Sequence, residues 1–453
     1  MRKITFTRYA LAAAFVSGTA FSAHGYNMSV NDVEPDIDWN KVPVVEKTMF
    51  FPGLITYDWI NSPEHKGTLN KDFKTKTCTH CHQGEEKAMG EMLIKHDRLD
   101  TMADKPSFID VEFQFANDDE NLYVKATWET QSPFPARMHD TLLFENGKWT
   151  VIGGDRGKNP YTPIYEDRFS VMIDDGSVDQ FTQQGCWMSC HRGMRDIGQA
   201  TKRDVLALDV IGFGGLNKKD VRKYLPDTRT ERYGVNWDKV KTRDQIDQLK
   251  EGGKFVDLMQ WRSTRSAPTG SADDGYVLEY RLSDAGTTVF TWNLDRTAGQ
   301  PKYMYDKSVT GFYALNKADF TDLNMNIAMI EGVNTMSYDP SKIEDGQYLQ
   351  GRLNRQGVGS AGDNSQVHSS WEDGKYTVVF TRKLDTGNPE DDKIMAVGGT
   401  YDFNIAIHDG QTTTRFHHVT FPFTVGIGDG ATGDVVTTPV KSPIYDKHRG
   451  ETQ

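Results

Sequence analysis

The chain reads as mainly β, an antiparallel β-sandwich domain with a small N-terminal segment and a helical and loop insertion. Three observations predict the sheet. Short apolar segments with two-residue alternation recur from about residue 106 onward, Asp-, Asn- and Gly-rich turns separate them, and long helical periodicities are few. The 453 residues are 37% hydrophobic and 26% charged, an ordinary globular balance with enough chain for a sizeable core.

The strands follow in order. Residues 111–115 alternate Val-Glu-Phe-Gln-Phe, residues 117–120 turn, and 122–128 return. Residues 142–144 and 149–152 flank Asn146-Gly147, a dipeptide that tolerates the positive φ of a two-residue hairpin. Further strands are expected at 168–173, 255–261, 276–281, 288–292, 376–381, 401–407 and 415–425. A helix is expected over 85–96. The polar insertion spans about 193–250, with helices near 218–224 and 243–251, and residues 310–365 read as loop-rich. The acidic pairs Asp174-Asp175 and Asp273-Asp274 carry calcium-ligand chemistry, but acidic turns of this kind are usually solvated.

The organisation expected is a signal peptide over 1–25, an N-terminal segment carrying Cys78-Thr79-His80-Cys81-His82 over 26–105, the β domain over 106–435 and a polar tail over 436–453. Arg2, Lys3 and Arg8 precede an Ala-rich apolar run from Tyr9 to about Phe21, and Ala23-His24-Gly25 offers a cleavage site. The run is shorter than the ~20 residues that cross a bilayer. Export to the periplasm is therefore expected, with no membrane span in the mature chain. The net charge of −12 argues against nucleic acid and anionic membrane as partners.

All four cysteines fall in two motifs. Cys78-Thr79-His80-Cys81-His82 is a CxxCH sequence. Two thiols one short turn apart reach the two vinyl groups of one porphyrin, and the next residue, His82, lies under the iron as proximal ligand. Cys186-Trp187-Met188-Ser189-Cys190-His191 has one residue more between its thiols and supplies His191 in the same way. A small disulfide is the rival reading of each pair. Two motifs that consume every cysteine and both end in His favour two haem c groups, held covalently by Cys78, Cys81, Cys186 and Cys190.

Each iron has a sixth position. For the first haem the choice is His65, in a loop just upstream of the motif, with His96 as rival. For the second, strand phase decides. His417 is in phase with Val419, Phe421 and Phe423 and is expected to point inward, with His418 on the other face. His139, Met138, Met172 and Met259 are weaker candidates.

The chain resembles the ethylbenzene dehydrogenase-type haem-binding family, and within it the dihaem c-type cytochrome branch. The resemblance rests on Phe51-Pro52-Gly53 with His65-Lys66-Gly67; Glu166-Asp167-Arg168 leading to Gly185-Cys186 and Cys190-His191; Trp261-Arg262 with Arg265-Ser266; Trp371-Glu372-Asp373-Gly374 through Arg382-Lys383-Leu384; and Ile407-His408-Asp409-Gly410. It covers roughly residues 45–430. It implies a β-sandwich with a haem at one end of its sheets. In the enzyme-associated branch a Met/Lys pair holds a b-type haem that serves a molybdenum enzyme. Here Arg262 stands where that pattern has lysine, and a guanidinium does not ligate iron.

The expected function is electron transfer between periplasmic redox partners, without catalytic residues of its own. A molybdenum oxidoreductase and a membrane quinol-oxidising cytochrome are candidate partners. The alternatives are a haem enzyme with one open iron, a peroxidase or small-molecule reductase, and an electron-transfer subunit of a molybdenum oxidoreductase complex.

Overall fold

A computed structural model describes residues 25–27, 34–96, 106–130, 140–152, 166–192, 223–317, 328–364, 366–408 and 417–443. The expected leader up to residue 24, Met138, His139, residues 193–222 of the insertion and the tail from 444 lie outside them.

Fifteen strands form one sheet. Its main path runs Gly25–Asn27, Val367–Glu372, Lys375–Lys383, Asn121–Glu129, Phe108–Asn117, Val45–Phe50, His418–Val419, Thr400–His408, Arg168–Asp174, Val256–Arg262, Gly275–Val277 and Arg281–Ser283. Every pairing along that path is antiparallel. The sheet curls until its two halves face each other. Phe169 of one half stacks on Phe380 of the other at 5.0 Å, and Trp128 meets Trp261 edge to face at 6.2 Å. Phe113, Phe115, Val124, Val378, Val171, Met259, Phe403 and Ile405 fill the space between the halves. The fold is thus the expected antiparallel β architecture, folded over as a sandwich.

The strands Arg168–Asp174 and Val256–Arg262 are buried on both faces. Period-two alternation divides their side chains. Phe169, Val171, Ile173, Met259 and Trp261 enter the sandwich core, whereas Met172, Val256 and Leu258 enter a second core. That second core also contains Phe50, Phe51, Tyr57, Ile60, Leu93, Cys186, Trp187, Met188 and Phe421, with Cys78 at its edge. Residues 45–50, from the expected N-terminal segment, form a strand of the main sheet, with Met49 on the sandwich side and Phe50 on the other.

Asn146 and Gly147 take φ of 52° and 73° and close the hairpin Thr141–Glu145 with Lys148–Ile152. The helices Glu86–His96 and Arg243–Glu251 form where expected, the second opened by a capping box between Thr242 and Gln245. Two expected strands differ. Residues 276–281 are not one strand but parts of a hairpin, with Tyr276 opposite Leu282. Its turn is held from a distance: Leu225 N donates to Leu278 O at 2.8 Å and Arg229 Nη2 to Glu279 O at 3.1 Å. Residues 415–425 are also not continuous. Within the described part, His418–Val419 and Phe423–Gly426 are separate strands, split at Thr420-Phe421-Pro422. Of the acidic pairs, Asp174, Asp273 and Asp274 are buried rather than solvated, and Asp175 alone of the four is exposed.

Candidate haem sites

The first motif opens a short helix, Cys78–His82, after the extended Thr77. His82 and Cys81 lie at its solvent side, and Cys78 turns inward. Burial pushes the Cys78 thiol up to about 12, so it stays protonated at neutral pH. A thioether has no ionisable proton and suits such a place better than a thiolate. The loop containing His65 folds back over this helix. The His65 and His82 rings lie 6.2 Å apart, centre to centre, and within 23° of parallel.

Each ring is anchored through Nδ1, which leaves Nε2 as the nitrogen to bind a metal. His65 Nδ1 donates to Ile60 O at 2.8 Å, and His82 Nδ1 bonds Glu85 Oε2 at 2.9 Å. Trp59 and Phe73 flank His65 at 5.2 and 5.4 Å. Burial lowers the basicity of His65, which favours the neutral, ligating imidazole. Gly67 packs closely under the ring: a Cβ there would stand 3.0 Å from His65 Cε1 and 3.4 Å from Nε2, so the ring would have to give by a few tenths of an ångström. The rival His96 is exposed at the end of its helix.

The second motif is enclosed, and Cys186, Trp187 and Met188 belong to the second core. Gly185–Ser189 is a tight helical turn, and all of Cys186 to His191 is buried. Gly185 takes φ 54°, and a Cβ on it would stand 2.6 Å from Asn404 Oδ1. That oxygen accepts from Cys186 N at 2.5 Å, while Asn404 Nδ2 donates to Thr420 O at 2.8 Å. One strand side chain therefore ties the motif to the sheet. Tyr57 N donates to Cys190 O at 2.6 Å from the other side.

His191 is fully enclosed, and burial pushes it down to about 3. Its ring stacks on Tyr224 at 3.9 Å, and its Nε2 donates to Tyr224 O at 2.9 Å. The Arg229 guanidinium lies 3.7 Å from the other face of Tyr224. No disulfide joins any of the four cysteines.

The structure brings the two motifs together. The Cys78 thiol donates to Gln183 O at 3.2 Å, three residues before Cys186. Phe421 bridges them: its ring lies 6.4 Å from His82, 6.2 Å from Trp187 and 4.9 Å from Phe50. Sequence reading missed these connectors. Trp187 and Phe421 were visible as large aromatics in or near the motifs, but nothing local signalled their meeting.

His417 is half-buried, with its ring 5.1 Å from that of His408. Val419 pairs with Ala406 and lines the second core with Phe421, whereas His418 pairs with Ile407 of the sandwich core, so the two histidines fall on the faces expected of them. His418, however, is the fully buried one, its Nε2 donating to Pro106 O at 2.9 Å. The break at Thr420-Phe421-Pro422 ends the alternation and puts Phe423 in the sandwich core. Arg262 is buried in an ion-pair cluster, with Nη2 2.7 Å from Asp273 Oδ2 and Nη1 3.6 Å from Glu166 Oε1.

Residues 36–420 match the family model described as ethylbenzene dehydrogenase. Over 428 residues the chain is 26% identical to cytochrome c-552 of Stutzerimonas stutzeri, a match that covers 94% of this chain and 97% of that protein. A 170-residue stretch is 26% identical to cytochrome c-551 of Rhodocyclus tenuis, covering 36% of this chain and 60% of the relative. No helix among the described residues is long and apolar enough to cross a membrane. With the family match spanning both motifs and most of the curled sheet, this chain belongs to the ethylbenzene dehydrogenase family.

Proposed function

We propose that this chain is an exported dihaem c-type cytochrome that relays single electrons between periplasmic redox partners. The observation that carries the reading is the facing pair His65 and His82. Metal–imidazole bonds of about 2.0–2.1 Å, with roughly 1.1 Å from each nitrogen to its ring centre, put two axial imidazoles about 6.3 Å apart. The rings are 6.2 Å apart. Metal-bound histidines usually fix the other ring nitrogen on a carboxylate or backbone carbonyl, as Glu85 and Ile60 do here.

Cys78 and Cys81 would hold the first haem, with His82 and His65 as axial ligands. Cys186 and Cys190 would hold the second, with His191 proximal and His417 in the sixth position. His191 would bind through Nε2, the nitrogen that donates to the Tyr224 carbonyl in this structure. Bound haem supplies a one-electron iron couple whose potential is set by ligands and burial. The residues do the positioning. Phe421 and Trp187 span the gap between the motifs and keep water out of it, and Asn404 and Tyr57 fix the second motif against the sheet.

The near-complete coverage of cytochrome c-552 supports a cytochrome. The family match supports a molybdenum oxidoreductase as one partner, beside other periplasmic redox proteins and a quinol-oxidising cytochrome. The Arg262 ion pairs argue against a Met/Lys-held b-type haem at that strand. The test is a pyridine haemochrome assay on protein from a host that matures c-type cytochromes. Two covalent haems per chain are expected, falling to one in Cys186→Ala and to one in Cys78→Ala. A single haem in the unaltered protein contradicts the proposal.

A further inference from the structure

A group of buried aspartates lies on the far strands of the sheet, outside both motifs. Asp257 is on Val256–Arg262, Asp274 precedes Gly275–Val277, Asp284 follows Arg281–Ser283, and Asp392 is on the connection before Thr400–His408. They are 0%, 2%, 5% and 2% exposed, so water cannot compensate their charge. One oxygen each of Asp257, Asp274 and Asp392 lies within 4.8 Å of the other two. Two oxygens on one calcium ion, at 2.3–2.6 Å from it, stand no more than about 5.2 Å apart.

The hydrogen bonds leave some of these oxygens over. Asp257 Oδ2 accepts from Arg382 Nη2 at 2.6 Å and from Lys393 N at 3.2 Å, but Oδ1 has no hydrogen-bond donor among the described residues. Asp392 Oδ1 has only Arg382 Nη2, at 3.7 Å. Neither oxygen of Asp284 has an N–H or hydroxyl donor among the described residues; its hydrogen-bond neighbour is the Asp274 carboxyl. Asp284 belongs beside the same group: its carboxyl lies within hydrogen-bond reach of Asp274, and the charges of Asp257, Asp392 and Asp391 act on it. Asp274 is anchored by Gly275 N at 3.0 Å and Asn364 Nδ2 at 2.5 Å.

Orphaned acceptors at nine-tenths burial or more are costly, typically about 1–3 kcal/mol for each neutral group and more for charged ones. Several of them converging on one point is an arrangement that a cation resolves. The nearby cations have other partners: Arg382 holds Oδ2 of Asp257, and Lys393 Nζ is paired with Asp174 and Asp175 at 3.1 and 2.6 Å. Hydrogen bonds thus engage Asp257 Oδ2 and both oxygens of Asp274, and leave Asp257 Oδ1, Asp392 Oδ1 and the Asp284 carboxylate for a common ligand.

We infer that Asp257, Asp274, Asp284 and Asp392 form a structural calcium site. The donor set is oxygen only, which selects a hard cation over zinc or copper. Several protein carboxylates in a buried cluster favour calcium over magnesium, which keeps several of its waters. The ion would join four segments distant in sequence: the strand 256–262, the hairpin of 275–277 with 281–283, the loop that supplies Asn364, and the connection after 383. Its role is to lock the edge of the sheet, since Val256 and Leu258, beside Asp257, line the core that contains Cys186.

The site is tested on the full-length haem-loaded protein. After gel filtration in metal-free buffer, elemental analysis is expected to find about one calcium per chain. Excess EGTA is expected to lower the melting temperature by roughly 5 °C or more, with recovery on adding calcium chloride but not an equal concentration of magnesium chloride. Asp284→Asn is expected to lose the calcium and the response to EGTA together. Should that variant fail to fold, the metal content and EGTA response of the unaltered chain decide alone. Absence of calcium with a melting curve indifferent to EGTA overturns the inference, and the aspartates then share protons instead. Equal recovery with magnesium overturns the assignment to calcium.

Discussion

The two Cys–His motifs are built in opposite ways. Cys78–His82 sits at a solvent edge, and its order comes from short-range features: one helical turn, a loop that begins thirteen residues upstream at His65, and two bonds to ring nitrogens. Cys186–His191 is enclosed, and its order comes from far away: Asn404, Tyr57 and Tyr224 hold it from three different segments. The first site can tune its ligands with little effect on the fold. The second is part of the fold, so a change there is felt as stability.

The contrast is broken most forcefully by truncating aromatic side chains. Trp187→Ala is expected to cost about 3–5 kcal/mol, as for other buried aromatic residues, whereas Phe73→Ala at the half-buried first site should cost less than half as much. Urea denaturation of the two variants measures this. Equal losses would mean that the first site is as much a part of the core as the second.

A smaller effect comes from pH. Asp402 accepts from Thr182 Oγ1 at 2.6 Å and so steadies the turn before Cys186. Burial holds its carboxyl up at about 6, with Thr182 pulling the other way. The folded chain therefore keeps a proton that the unfolded chain releases near pH 3.9. The stability this contributes is full below about pH 4 and is lost as pH rises through 6. After allowance for solvent screening the change is on the order of 1 kcal/mol. Asp402→Asn should remove that slope between pH 4 and 6 in denaturation midpoints.

The smallest stability change sharpens the contrast from the other side. Gly67→Ala presses on the His65 ring, so it should shift the visible and paramagnetic spectra of the first haem while costing less than about 1 kcal/mol. A large loss of stability without spectral change would reverse the roles assigned to the two sites.

Much of the fold was legible because it is locally encoded. Alternation in residues 111–115 and Asn146-Gly147 between apolar runs each demand one backbone form, and the chain adopts it. The elements that went astray are those decided at long range. The turn within 276–281 has no glycine or asparagine, and carbonyl bonds from Leu225 and Arg229 hold it. The run 415–425 reads as continuous, but Pro422 lacks the N–H that an interior strand needs, and beyond it Phe423 enters the other core from Val419 and Phe421. The Cys–His motifs were plain in the sequence. Their meeting through Gln183 and Phe421 was not, because residues 105 positions apart make the contact.

The most direct test of the account is near-infrared magnetic circular dichroism of the oxidised protein, combined with low-temperature paramagnetic resonance, comparing the unaltered chain with His65→Ala and His96→Ala. A low-spin bis-imidazole signature is expected from the first haem, lost to a high-spin signal in His65→Ala and untouched in His96→Ala. A first haem whose signature survives His65→Ala would contradict it.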